Sequence, residues 1–153
     1  MFPFSKKKNE LLERDDRERI VAAIRAVEAQ TTGEIRVFIE SYCSYMDALD
    51  RARELFARLK MYHTERHNAV LVYIALHDHQ FAIYGDENAY EQFGGSAFWQ
   101  SAAEHLVAHF KQTKITEGIV SCIEELGTAL KTHFPYDPAV TKNELPDEIV
   151  FGK

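Results

Sequence analysis

Apolar residues fall into three short runs. Ala69 to Leu76 is apolar at every position, the mark of a strand covered on both faces. Ile35-Arg36-Val37-Phe38-Ile39 alternates, with Ile35, Val37 and Ile39 on one face. Arg36, Phe38 and Glu40 share the other face, which is therefore expected to be partly covered or near an edge. Phe81 to Tyr84 follows the turn His77-Asp78-His79-Gln80 as a third strand.

Helical spacing fills the remainder. A first helix is expected over about 11–29, on Ile20, Ile24 and Val27 with Leu12 extending the stripe, and Thr31-Thr32-Gly33 ends it. A second, about 46–59, repeats Met46, Leu49, Ala52, Phe56 and Leu59, with Asp47 and Asp50 in its first turn. A third, about 96–111, turns Phe98, Trp99, Ala102, Leu106 and Phe110 inward. A fourth, about 116–132, buries Ile119, Ile123, Leu126 and Leu130 before Pro135 and Pro138 stop it.

The connection between the first two strands contains a helix, which predicts a right-handed crossover joining parallel strands. The four-residue turn to the third strand predicts an antiparallel pair. With helices on both faces, the fold class is α/β, a three-layer α/β/α sandwich with a central mixed sheet. Residues 1–10 read as a flexible N-terminus, 11–135 as the folded domain and 136–153 as a C-terminal tail in which Leu145, Ile149, Val150 and Phe151 are available to dock.

Composition narrows the function. The 153 residues suit one domain, and 46% hydrophobic with 27% charged residues is an ordinary globular balance. Acidic residues outnumber basic ones 24 to 18, for a net charge of -6. That sign argues against a nucleic-acid partner. No apolar run approaches the roughly 20 residues of a membrane span, so no direct membrane insertion is expected. The opening Met1-Phe2-Pro3-Phe4-Ser5-Lys6-Lys7-Lys8 has its charge after its apolar residues, the reverse of a secretory signal, and the reading is cytoplasmic. Cys43 and Cys122 have no metal-like spacing and no obvious base for nucleophilic work; Cys122 reads as core.

The candidate chemistry lies at the strand ends. Thr32-Gly33-Glu34 and Arg66-His67-Asn68 precede the first two strands, and Gly85-Asp86 follows the third. The expected topology brings all three to one edge of one sheet. Glu34, Asp86 and Glu87 supply carboxylates and Asn68 an amide oxygen, a hard donor set suited to calcium or magnesium. A structural reading stands level with it: Asp86 as a turn cap, Asn68 satisfying a bend, Glu34 paired with Arg66 or Lys60. The histidine pairs His63/His67 and His105/His109 are four apart, yet neither is His-Glu-x-x-His, and a solvated face is favoured over zinc. Gly94-Gly95 reads as a turn into the third helix rather than an anion cradle.

Together these segments resemble the TPM domain family, named for a thylakoid-lumen protein, a photosystem II repair protein and a worm receptor modulator. The resemblance covers about residues 15–135. Its carriers are Thr32-Gly33-Glu34-Ile35-Arg36-Val37, then Met61, Thr64, Asn68 and Val70-Leu71-Val72, then Ala82-Ile83-Tyr84-Gly85-Asp86, Phe98-Trp99, Gly118, Ile119 and Phe134-Pro135. The closing Asn143 to Ile149 resembles the tail of small stand-alone bacterial members. The resemblance implies an α/β/α sandwich. It also implies divalent-cation binding for some members, acid phosphatase activity for plant members, and accessory roles at membrane complexes for others. The family's usual Arg-Asn-Gly is His67-Asn68-Ala69 here, and a glycine expected two residues after Asp86 is Asn88.

The leading expectation is a soluble accessory or interaction module for a protein partner, binding calcium or magnesium through Glu34, Asn68, Asp86 and Glu87. The alternative is a metal-dependent phosphohydrolase, with Glu34 or Asp86 orienting water and Arg66 answering the phosphate charge. An ion-free structural partner-binding domain is the third reading.

Overall fold

In the computed structural model, which describes residues 12–140 and 146–152, four strands form one sheet. They are β1 (Glu34–Glu40), β2 (Ala69–Ala75), β3 (Gln80–Gly85) and β4 (Val150–Phe151), in the order β3-β2-β1-β4. β1 and β2 are parallel, with Glu34 opposite Ala69. β3 folds back antiparallel on β2, with Val70 opposite Gly85. Both relations, and the interior place of β2, follow the sequence expectation.

The helices are α1 (Arg14–Glu28), α2 (Ala48–Arg58), α3 (Glu87–Gln92), α4 (Ser96–Lys111) and α5 (Ile115–His133). α1, α4 and α5 cover one face, where Ile20, Ile24, Leu106, Ile119 and Leu126 pack with Ile35, Val37, Val70 and Val72. α2 and a short 3-10 turn, Met61–His63, cover the other, with Phe56 and Met61 on Phe38, Leu71 and Tyr73. The architecture is the mixed-sheet α/β/α sandwich. The expected 1–10 stretch and Leu145 lie outside the described residues.

Four local expectations are corrected. The polar face of β1 is more than partly covered: every residue of β1 is buried. The tail supplies β4, with Val150 opposite Phe38 and Phe151 opposite Ile39, so β1 lies one position from the sheet edge. Charge on that face is answered internally, since Arg51 binds Glu40 through Nε at 2.9 Å and Nη2 at 3.0 Å, and the buried Tyr73 hydroxyl donates to Glu40. Met46 and Leu49 do not pack inward but are exposed, and Leu55 takes the core position with Ala52 and Phe56. A short helix, α3, stands where only a loop was read. Asn88, where the resemblance expects a glycine, needs no left-handed backbone either. It lies inside α3, and the left-handed residue of this corner is His67, at φ 50°.

Candidate functional site

The three strand-end motifs do meet. Thr31-Thr32-Gly33 enters β1 by clamping onto the end of α5. The Thr31 hydroxyl donates to Phe134 O, Thr32 N–H donates to the same carbonyl at 3.0 Å, and the Gly33 N–H donates to Thr31 Oγ1 at 3.0 Å. Gly33 allows a close approach, because a Cβ there would stand 2.4 Å from Leu130 Cδ2 and 3.2 Å from Asn68 O. The first motif is therefore pressed against the second.

Glu34 opens β1 opposite Ala69, and the Asp86 N–H donates to Ala69 O at 2.9 Å. Glu34, Ala69 and Asp86 thus form one row across three strands. Strand spacing puts the outer two backbones roughly 10 Å apart. Ala69 belongs to the core cluster under α2, so the row faces that layer, and its central member fills only a methyl of space.

Asp86 is 3% exposed and holds two contacts. Oδ1 accepts the Glu87 N–H at 2.8 Å and caps α3, while Oδ2 lies 3.3 Å from His67 Nδ1. Asn88 ties the same corner, donating from its backbone to His67 O at 3.2 Å and from Nδ2 to Arg66 O at 2.8 Å.

Asn68 is 1% exposed. Its Nδ2 donates to Thr32 Oγ1 at 3.1 Å, and its Oδ1 is buried with no hydrogen bond to any described residue. Thr64 Oγ1, buried on the approach to β2, is likewise without one. Orphaned buried acceptors cost free energy of order 1–3 kcal/mol each. Sequence reasoning named Thr32 and Thr64 but gave neither a role here, since a hydroxyl in a polar loop carries no periodic signal.

Not every candidate joins the cluster. Glu87 is exposed at the start of α3. Arg66 points away, pairing with Asp137 at 3.0 Å on the surface. Glu34 is buried between two polar neighbourhoods. Beyond the strand-end row, its charge also acts on Arg36 and on Glu28 of α1. Among the described residues no three His, Cys, Asp or Glu side chains are grouped to hold a metal by themselves. His105 instead contacts Glu125 at 3.1 Å and His109 contacts the His105 carbonyl at 3.1 Å. The two cysteines are free and lie in the cores on opposite sides of the sheet, with burial pushing the Cys122 thiol up to about 12.

The TPM domain family model matches residues 5–129. The chain belongs to the TPM domain family. In this TPM domain the matched stretch holds all three strand-end motifs. The BA42 protein from the psychrophilic bacterium Bizionia argentinensis, solved by NMR, is 38% identical with a TM-score of 0.84, over 95% of this chain and 99% of that one. The N-terminal domain of the cg2496 protein from Corynebacterium glutamicum shares the fold at 15% identity and a TM-score of 0.66, over 95% of this chain and 93% of that one. No curated protein matches this TPM domain. Among its described residues no helix is long and apolar enough to cross a membrane.

Proposed function

We propose that this TPM domain is an accessory module whose strand-end cluster takes a divalent cation, calcium or magnesium. The observation that carries the reading is Asn68 Oδ1, a buried carbonyl oxygen without a hydrogen bond to any described residue, one residue before Ala69, whose carbonyl accepts the Asp86 N–H. A hard cation accepts such neutral oxygens along with carboxylates. Apart from His67 Nδ1, 3.3 Å from Asp86 Oδ2, the donors at hand are oxygens, and with no trio of His, Cys, Asp or Glu among the described residues, an ion would draw on Asn68 and Thr64 as well as Asp86 and Glu34. Glu87, exposed at the mouth, would close the shell directly or through water.

A cation here would neutralise the carboxylates of the row and tie the loop entering β2 to the turn leaving β3. That effect is structural, and it makes the module's surface depend on the ion. The phosphohydrolase alternative gains nothing from the geometry. Arg66, the side chain needed to answer phosphate charge, is paired with Asp137 instead.

The test is thermal unfolding in EDTA and in millimolar calcium or magnesium. A ligand that binds only the folded state raises Tm by mass action. We expect a rise in the parent chain and none in Asp86→Asn. Equal rises in both would place the ion elsewhere.

A further inference from the structure

We infer that the outer edge of β3 is a docking groove for an extended, apolar peptide segment that carries a carboxylate. This goes beyond the cation reading and does not depend on the ion. It names the surface through which an accessory module would hold its partner.

The edge itself is the first observation. The Asp86 N–H bond to Ala69 O fixes which β3 residues face β2: Tyr84, Ala82 and Gln80 follow Asp86 as the hydrogen-bonded set opposite Leu71, Tyr73 and Ala75. Phe81, Ile83 and Gly85 therefore point their backbone N–H and C=O groups outward. No described residue hydrogen-bonds to these outward groups. Natural edges are usually blunted by a charge, a proline or a bulge. Gln80-Phe81-Ala82-Ile83-Tyr84-Gly85 has none of these. The opposite edge strand, β4, is only 2 residues long, so β3 is the longer edge strand of the described sheet.

A groove of about 420 Å³ runs along this edge, walled by Leu49 and Arg53 of α2 on one side and Trp99 and Ala103 of α4 on the other. Its α2 rim continues into exposed apolar residues, for Tyr45, Met46 and Leu49 all project into solvent. A strand laid here satisfies the open backbone groups and covers the apolar walls at once, the usual logic of strand addition.

Charge selects the occupant. Arg53 is the one charged side chain among the residues lining the groove, on a chain of net charge -6. It leans over the Tyr84 ring at 5.8 Å, and its ion pair with Asp50, at 3.3 Å, is exposed and so weakly held. A second copy of this chain brings no carboxylate from its own groove lining to meet Arg53. A segment from another protein, apolar and extended with one acidic residue, does.

Trp99 is the only tryptophan and lines the groove, so its fluorescence reports occupancy. The probe is a capped synthetic peptide alternating valine and threonine with one central glutamate. Controls replace glutamate by lysine, or N-methylate alternate amides. Titrations run in EDTA and again with calcium, so failure of the cation reading leaves this result readable. We expect saturable change in Trp99 emission and slowed amide exchange at Phe81, Ile83 and Gly85 with the glutamate peptide. N-methylation should abolish both, and Arg53→Glu should weaken binding about tenfold and favour the lysine peptide. Arg53 is an exposed rim residue, and far-UV circular dichroism confirms its variant is folded. Absence of emission change and of exchange protection with every peptide overturns the proposal. So does concentration-dependent dimerisation that protects the same three amides, which would make the occupant a second copy.

Discussion

His67 Nδ1 stands 3.3 Å from Asp86 Oδ2, while the other oxygen of the same carboxylate caps α3 by accepting the Glu87 N–H at 2.8 Å. One side chain therefore binds together the loop into β2 and the turn out of β3. Its structural and ion-binding roles separate by substitution. Asp86→Ala removes the cap and should cost about 1 kcal/mol of stability. Asp86→Asn keeps a good capping residue and should cost less, roughly 0.5 kcal/mol. Urea unfolding in EDTA measures both; equal losses would mean that the cap is not what Asp86 contributes.

Gly85 is where β3 meets α4. A Cβ at this position would sit 2.5 Å from Trp99 Cη2, so Gly85→Ala forces the ring to move. Trp99 is anchored by its Nε1–H bond to Tyr90 O at 3.2 Å and stacks on Phe93, with ring centroids 5.4 Å apart. The expected cost is about 1–3 kcal/mol, with shifted Trp99 emission in the folded state. Unchanged emission and stability would show that the ring is free to yield.

Glu28 and Asp147 supply the pH dependence. Glu28 is buried, and Oε2 accepts the Ile35 N–H at 2.9 Å. Burial, then the carboxyl bond to Asp147, lift its pKa from 4.5 to about 9. Asp147 also faces Arg25 at 3.6 Å, and the charges of Glu34 and Arg36 lie nearby. The folded state thus holds this proton more tightly than the unfolded state. The contribution is complete below about 4.5 and declines as pH rises toward 9, with a slope of at most about 1.4 kcal/mol per pH unit. Glu28→Gln keeps a hydrogen bond to Asp147 without titrating. Chemical unfolding in EDTA across this range should show a decline in the parent chain that the variant flattens. Parallel curves would contradict the shared proton.

Hydrolysis is expected to be very low. The purified chain should barely turn over p-nitrophenyl phosphate with magnesium or calcium, and His67→Arg should not raise the rate, because Arg66 is held at Asp137 and no cluster of cations is preorganised among the described residues. Turnover that appears with His67→Arg and is lost with Asp86→Asn would restore the phosphohydrolase reading.

The fold was legible where a pattern had one meaning. Ala69 to Ala75 is apolar throughout and lies inside the sheet with cover on both faces. The four-residue turn dictated the antiparallel β3. Legibility ended where a third element intervened. The face of Arg36 and Glu40 read as partly covered or near an edge, and its full burial was not legible because Arg51, Glu40's partner, lies on a separate element, α2. Met46 and Leu49 matched helical spacing, yet α2 begins at Ala48 and its inward stripe runs through Ala52, Leu55 and Phe56. At the site, the meeting of the three strand-end motifs followed from topology alone. The roles of Thr32 and Thr64 did not, since a buried hydroxyl is defined by its neighbours rather than by its place in a sequence pattern.

The central claim is that a divalent cation binds at the row Glu34-Ala69-Asp86. Residue-resolved NMR of the labelled chain, titrated with calcium from EDTA, addresses it most directly. The account predicts saturable amide shifts confined to Glu34, Thr64, Asn68, Asp86 and Glu87, a shifted side-chain amide of Asn68, and loss of all of these in Asp86→Asn. Shifts scattered over exposed carboxylates such as Glu104 and Glu117, unchanged by Asp86→Asn, would contradict it.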